Sequence, residues 1–112
     1  MATHKSTWKA FERVVAKFLG GFRRLRHIGG PDADKDPGDV VGVDGLFVEC
    51  KYRVKNQVWS WWEEANSKSG DALPIVFVKM KRKKGALICM EMGDFDKIVG
   101  IIQVARDQNG QD

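Results

Sequence analysis

Apolar residues recur every three or four positions in three segments of the chain, which predicts three amphipathic helices. The first follows Ser6 or Thr7, either of which is a suitable cap. The second spans 57–69, and the third follows Asp94. The residues expected to face the core are Trp8, Phe11, Val15 and Phe18 in the first helix, Val58, Trp61, Trp62 and Ala65 in the second, and Phe95, Ile98, Val99, Ile102 and Ala105 in the third.

The segments between these helices are short. Apolar and polar residues alternate in some of them and others are continuously apolar, and both patterns are typical of strands. The run at 75–78 is apolar throughout, which indicates an interior strand. The resulting order, αβββαββα, predicts a single α/β domain with a central mixed sheet flanked by helices. The predicted strands are 22–28, 39–43, 46–52, 75–78 and 86–92.

Three segments lack such patterns. The segment 29–38 holds three glycines, two prolines and three aspartates, which predicts a mobile loop. Residues 1–5 and the polar tail 107–112 are expected to be flexible.

Asp44-Gly45 lies between two strand-like runs and predicts a hairpin. A two-residue loop would pair Asp39 with Cys50. A three-residue loop with a left-handed Gly45 would pair Asp39 with Glu49 instead. Only the second register brings the two acids together, so the register decides whether these residues form a site.

Glu49 and Lys51 share one face of their strand, because side chains alternate along it. With Asp39 on the preceding strand they would form an oxygen-rich pocket beside an ammonium. Such a pocket suits a divalent cation and metal-assisted phosphodiester hydrolysis. The alternative is a solvated hairpin face, but the valines and Cys50 around these charges predict burial, which is costly for unpaired charges.

Glu12 is the second candidate. Its helical neighbours are Trp8, Val15 and Leu19, so it lies at the edge of the apolar stripe. It is either a helix acid paired with a nearby lysine or a carboxylate directed into the metal pocket.

These features carry a resemblance to a known family. Over residues 5–92 the chain resembles the PD-(D/E)xK nuclease superfamily, and within it the archaeal and phage Holliday-junction resolvases most of all. The motifs are Lys9-x-x-Glu12-Arg13, Gly21-Phe22 with the arginines after it, Pro37-Gly38-Asp39, Val48-Glu49-Cys50-Lys51 and the strand 73–79.

The resemblance implies a restriction-endonuclease-like core and a Mg²⁺-dependent DNA endonuclease, with Mn²⁺ as a substitute. Such an enzyme resolves four-way junctions by paired phosphodiester hydrolysis as a homodimer. Asp39 and Glu49 would be metal ligands, joined by the Cys50 backbone carbonyl and by Glu12. Lys51 would orient or activate the attacking water and stabilise the developing charge.

The resemblance also implies phosphate contacts by Arg13 and by an arginine of the first strand, which is one of Arg23, Arg24 or Arg26. Arg26 is the first choice, and alternation also allows Arg24. Two departures stand out. Gly38 replaces the proline that usually precedes the acid, and Gly29-Gly30 lie where many relatives carry a serine.

The charge balance and the cysteines change this picture little. There are 19 basic and 15 acidic residues, a net charge of +4, which leans mildly toward polyanionic partners. Cys50 and Cys89 form no CxxC pair, so we expect reduced thiols rather than a zinc site, and an intracellular protein. No apolar run approaches the ~20 residues of a membrane span, and the start lacks a signal-peptide pattern. A prokaryotic host, or a phage, fits so short a chain.

Two basic clusters are candidate DNA contacts. Arg53 and Lys55 follow the candidate site directly, where a substrate must pass. The turn 79–84, with Lys81, Arg82 and Lys83, either contacts phosphates or keeps a hairpin soluble. Trp59 lies off the apolar stripe of its helix and is the candidate dimer contact.

Two alternatives remain open. The chain would otherwise be a repair or restriction-type nuclease of the same superfamily, or a non-catalytic DNA-binding protein that retains the fold. Metal-dependent cleavage that is lost on Glu49→Ala or Asp39→Ala distinguishes the enzyme from the binding protein.

Overall fold

The structure, a computed structural model, describes residues 4–24 and 36–110. A short 3₁₀ turn, Met92–Asp94, leads into the last helix. The helices and strands within these ranges are α1 His4–Leu19, β1 Phe22–Arg23, β2 Val40–Val41, β3 Leu46–Arg53, α2 Val58–Lys68, β4 Leu73–Met80, β5 Leu87–Cys89 and α3 Phe95–Gln108.

The strands form one sheet in the order β1-β2-β3-β4-β5. β3 and β4 are parallel, with Val48 opposite Ile75, and every other neighbouring pair is antiparallel. Helix α2 supplies the crossover that a parallel pair requires. The predicted single α/β domain with a mixed sheet flanked by helices is therefore confirmed.

The helices divide between the two faces of the sheet. Val48, Cys50, Ile75 and Phe77 pack with α1 and α3, where Leu19 and Ile98 are fully buried. On the other face α2 packs its buried side over β3 and β4. The buried residues of that second core are Phe47, Trp61, Ala65, Val76 and Val78. Glu49 and Lys51 alternate with the first set along β3, so they belong to the α2 face.

The hairpin adopts the register that brings the two acids together. Val40 is opposite Val48, so the next position outward on each strand puts Asp39 level with Glu49. Gly45 takes a φ of 97°, and the N–H of Leu46 donates to the carbonyl of Val43 at 3.1 Å. The alternative pairing of Asp39 with Cys50 is excluded.

Several predicted element ends were wrong. α1 begins at His4, so Ser6 and Thr7 lie inside the helix rather than capping it. α3 does begin directly after Asp94, as predicted, but Asp94 makes no side-chain cap bond; Glu91 accepts from the N–H of Gly93 in the 3₁₀ turn. α3 continues to Gln108, beyond the expected start of the polar tail.

The strand predicted at 22–28 ends at Arg23, since Arg24 is described and lies outside β1, and residues 25–28 lie outside the described ranges. Residues 1–3, 29–35 and 111–112, which carry the expected flexible ends and most of the expected mobile loop, also lie outside them.

The apolar stripes are narrower than predicted. On α3 the side chains of Phe95 and Val99 were expected in the core but are exposed, whereas Ile98 and Ala105 are buried. Trp8 and Phe18 of α1 are likewise partly exposed at 40% and 46%, although Phe18 still packs edge-on against Phe77. Periodicity identifies an apolar side of a helix, but the neighbouring elements decide how much of it is covered. Within the described ranges, no helix is long and apolar enough to cross a bilayer.

Gly38 determines how closely the chain before Asp39 approaches β3. Its φ is 86°, and a β-carbon there would lie 2.7 Å from the Val48 carbonyl oxygen. Gly70 also has a positive φ, 58°, but a β-carbon there meets nothing within 4 Å.

We expect Gly70→Ala to lower the free energy of unfolding by about 1–2 kcal/mol, through left-handed strain alone. Gly38→Ala adds the clash with the Val48 backbone, a further cost of about 1–3 kcal/mol. Urea titration of both variants measures the difference. Equal costs would contradict the close approach of this segment to β3.

Candidate functional site

Asp39 ties the end of β2 to β3. Its backbone N–H donates to the carbonyl of Val48 at 2.7 Å, and its Oδ2 accepts from the N–H of Cys50 at 2.8 Å. The two bonds go to the residues on either side of Glu49. The carboxylate of Asp39 is therefore held next to Glu49 by the backbone of β3.

Glu49 and Lys51 are charged residues inside the core of the domain. They are only 7% and 8% exposed, and the Lys51 Nζ lies 3.7 Å from the Glu49 Oε2. They follow each other on the α2 face of β3, as the alternation predicted. Their mutual attraction offsets part of the free-energy cost of removing both charges from water.

The carboxyls of this site are not fully balanced by the cations around them. Burial and the nearby charge of Asp39 raise the pKa of Glu49 to about 7, against the opposing effect of Lys51. Burial also raises the pKa of Asp39, although the Cys50 N–H and Arg24 oppose the shift. A bound cation would relieve both effects, because it favours the ionised carboxylates.

Glu12 approaches from the other face of the sheet. It is 4% exposed, and its Oε1 accepts from the Arg23 Nε at 2.7 Å. Burial raises the pKa of Glu12, the bond from Arg23 lowers it, and the charge of Asp39 raises it again. Glu12 is thus a neighbour of Asp39, but its described contact is the arginine.

Arg23 is the arginine of β1 that contacts Glu12. The choice of Arg26 or Arg24 as the phosphate contact of the first strand stays a prediction. Arg26 lies outside the described residues. Arg24 instead lies 3.4 Å from Asp36.

Asp36 is a further acid near the site that the sequence analysis did not single out. It accepts from the N–H of Gly38 at 2.9 Å, and its other oxygen lies 3.4 Å from the Lys68 Nζ at the end of α2. It thereby links α2 to the segment that carries Asp39. Its position in an aspartate-rich loop gave no signal of these contacts.

Glu64 of α2 was also missed. Its Oε1 accepts from the Lys51 Nζ at 3.0 Å. That bond lowers the pKa of Glu64. The only signal in the sequence is its place beside Ala65 and three residues after Trp61, on the flank of the buried stripe. The strand residue that it meets depends on how α2 crosses the sheet, which periodicity does not specify.

Cys50 contributes to the site through its backbone. Its side chain is buried between the sheet and α1, and burial raises the pKa of the thiol. A thiol that ionises so poorly is a weak nucleophile and a weak metal ligand. This leaves the backbone carbonyl as the group of Cys50 suited to a hard cation.

The oxygen atoms at this site suit a cation that takes only some of its ligands from the protein and the rest from water or substrate. Among residues 4–24 and 36–110, no group of three or more His, Cys, Asp or Glu side chains is arranged to hold a metal ion. Asp39 and Glu49 provide two carboxylates, and the Cys50 carbonyl is a third candidate oxygen. Mg²⁺ binds in this way, because it keeps several waters and takes one or two carboxylates together with substrate phosphates.

The two basic clusters lie side by side where β3 and β4 end. The N–H of Lys81 donates to the carbonyl of Arg53 at 2.9 Å, and the Lys81 ammonium lies 5.8 Å from the centre of the Tyr52 ring. Both clusters therefore belong to one surface. Its exposed cations are Arg53, Lys55, Arg82, Lys83 and Lys84.

Lys79 has a structural role in this surface. Its Nζ donates to the carbonyl of Met80 at 3.2 Å and also to the carbonyl of Lys83. These bonds fold the turn 81–85 back on β4. Arg13, the remaining predicted phosphate contact, is exposed on α1.

Trp59 is 77% exposed on α2, whereas Trp61 is buried and Trp62 packs partly against the core. The prediction that Trp59 lies off the stripe is confirmed. Its role as a dimer contact stays a prediction.

Comparison of the chain with known protein families, with curated proteins and with solved structures found no match in any of the three. The assignment of the site therefore rests on its own geometry.

The raised pKa of Glu49 predicts a pH-dependent stability. Between its unfolded pKa near 4.5 and its folded pKa of about 7, the folded protein holds a proton that the unfolded chain has released. The stabilisation that this proton on Glu49 gives the folded state is fully present below pH 4.5 and is lost as the pH rises through 7. It amounts to at most about 3.5 kcal/mol, since one pKa unit is about 1.4 kcal/mol.

In EDTA, the wild type should therefore lose stability from pH 5 to pH 8 relative to Glu49→Gln, which cannot titrate. Urea unfolding at several pH values measures the difference, and Glu63→Gln, an exposed change on α2, is the control. Parallel pH curves for the wild type and Glu49→Gln would show that the carboxyl of Glu49 is not perturbed.

Proposed function

We propose that this protein is a divalent-metal-dependent endodeoxyribonuclease that cuts branched DNA, with the four-way junction as its substrate. The observation that carries the proposal is the convergence of Asp39, Glu49 and Lys51 at one place in the sheet. Two partly uncompensated carboxylates and an ammonium are the groups that metal-assisted phosphodiester hydrolysis uses.

Asp39 and Glu49 would hold the metal, with the Cys50 carbonyl as a further ligand. When bound, Mg²⁺ or Mn²⁺ supplies a nucleophilic water at neutral pH and charge neutralisation at the phosphorus. Glu12 is paired with Arg23 and lies on the opposite face of the sheet, so we assign it to that ion pair rather than to the metal.

Lys51 would bind a non-bridging phosphate oxygen and stabilise the charge that develops there. Its burial keeps water away from the ammonium and strengthens that interaction. Its hydrogen bond to Glu64 and its ion pair with Glu49 fix the ammonium before the substrate arrives.

The basic surface beside the site supports DNA as the substrate. Arg53, Lys55 and the turn with Arg82 and Lys83 present exposed cations where β3 and β4 end. Such contacts fix the position of a phosphate backbone without reading its bases. No groove-reading helix motif is evident in the sequence, so recognition by shape and phosphate position fits this chain best.

The junction preference and the homodimer follow from the resemblance to resolvases. Two opposed strands of a junction are cut in a symmetric reaction, which requires two sites related by a two-fold axis. The exposed Trp59 and the exposed apolar residues of α1 and β5 are surfaces that a second copy would cover.

Cleavage of synthetic DNA tests the proposal. A four-way junction, a flap, a linear duplex and a single strand of matched sequence are incubated with Mg²⁺, with Mn²⁺ and with EDTA. We expect paired symmetric nicks in the junction, none in EDTA, and a loss of about 100-fold or more in Asp39→Asn and Glu49→Gln. Asp71→Asn is the control, because it removes a carboxylate from an exposed turn.

Each other outcome has a distinct meaning. Equal cutting of all four DNAs would keep the nuclease and reject the junction preference. Cutting that persists in EDTA would reject the metal site. Tight binding without cutting in any metal would identify a non-catalytic DNA-binding protein.

The basic turn should contribute one phosphate contact per exposed cation. Lys83→Ala should reduce the slope of log Kd against log salt by about 1. Lys97→Ala is the matched control, because Lys97 lies on α3 near Leu73, at the opposite end of β4. Fluorescence anisotropy at several salt concentrations in EDTA gives the slopes. Equal slopes for the two variants would remove the turn from the DNA-binding surface.

A further inference from the structure

Glu64 is the nearest described carboxylate to the ammonium of Lys51. Its Oε1 is 3.0 Å from the Lys51 Nζ, shorter than the 3.7 Å between that nitrogen and Glu49. The contact joins α2 to β3, two elements that otherwise meet through apolar side chains. Neither the resemblance nor the motif that contains Lys51 predicts it.

The ammonium of Lys51 has three N–H donors. Among the described residues, one N–H is bonded to Glu64, and the nitrogen lies 3.7 Å from the Glu49 Oε2, within ion-pair range but beyond hydrogen-bond distance. The ammonium therefore keeps N–H donors for a phosphate oxygen or a water in the site. Because the stem of Lys51 is buried in the sheet, the hydrogen bond to Glu64 and the attraction to Glu49 determine how the ammonium is oriented.

Helix packing holds Glu64 in place. Trp61 and Ala65, three residues before it and one after it, are buried against β3 and β4. Its own side chain is 48% exposed, so the carboxylate stays partly hydrated while it accepts the bond. The position of Glu64 is thus fixed by its helix, and its charge carries little desolvation cost.

We propose that Glu64 is a positioning residue for Lys51, holding its ammonium beside Glu49 with one N–H directed to the scissile phosphate. The inference rests on the proposed nuclease function and deepens it. Glu64 does not touch the substrate, so its effect appears in the rate of the chemical step and not in DNA affinity. Loss of its carboxylate frees the ammonium to turn toward Glu49 or water.

Single-turnover cleavage at saturating DNA tests this role, with DNA affinity measured separately in EDTA. We expect Glu64→Ala to slow cleavage about 10- to 100-fold, since small misplacements of a reacting group have effects of this size. Glu64→Gln retains an Oε1 acceptor and should keep more of the rate than the alanine variant. Glu63→Gln, the neighbouring exposed acid on α2, should cleave like the wild type.

NMR of the lysine ammonium groups in the free protein gives a second readout that does not depend on cleavage. The Lys51 signal, identified by its absence in Lys51→Met, should persist in the wild type and in Glu63→Gln. It should broaden or exchange with water faster in Glu64→Ala.

Three results would overturn the proposal. Cleavage by Glu64→Ala at or above the wild-type rate would show that the carboxylate of Glu64 does not position Lys51 for cleavage. An unchanged ammonium signal in that variant would show that Glu64 does not hold the nitrogen. A wild type that cuts no DNA would refute the nuclease function, and the positioning role with it, whereas the first two results leave that function intact.

Discussion

The burial of Glu49 in an otherwise apolar strand is the constraint on which the site depends. An ionised carboxylate there loses its hydration and must recover the cost from nearby charges. Lys51 recovers part of it, at 3.7 Å on the same face. Burial, together with the charge of Asp39 held against the neighbouring backbone, raises the pKa of Glu49 to about 7. Two acids buried close together lower the stability of the fold when both are ionised, and a bound cation would offset that cost.

The two faces of the sheet contribute differently to this site. On the α2 face, the buried Lys51 lies between two acids, Glu49 of β3 and Glu64 of α2. The opposite face carries the close pair of Glu12 and Arg23. Asp39 lies where the two groups meet. Its backbone bonds to Arg24 on one side and to Val48 on the other, and its carboxylate accepts the N–H of Cys50. The proposed chemistry therefore belongs to the α2 face.

Part of this arrangement was predictable from local rules. Alternation along β3 placed Glu49 and Lys51 together, and a left-handed Gly45 allowed the register that puts Asp39 beside Glu49. The mixed sheet with flanking helices followed from the lengths and periods of the apolar segments. These features depend on neighbours in the chain, where steric rules apply directly.

The remaining features depend on how whole elements pack. Glu64 meets Lys51 only because α2 crosses β3 at a particular place, and no spacing in the sequence encodes that crossing. Arg23 rather than Arg24 contacts Glu12 because of the way α1 lies over the short strand β1. Phe95 stays exposed because a 3₁₀ turn leads into α3 and only a narrow stripe of that helix is covered. Such contacts are set by tertiary geometry, which a single sequence does not display.

The location of a bound metal ion tests the central claim most directly. A crystal grown with Mn²⁺ and measured for anomalous scattering shows where the ion lies, independently of any DNA substrate. Our account predicts an anomalous peak between the carboxylates of Asp39 and Glu49, and its disappearance in Glu49→Gln. A fully occupied peak elsewhere, or none at this position in well-ordered crystals at saturating Mn²⁺, would contradict it.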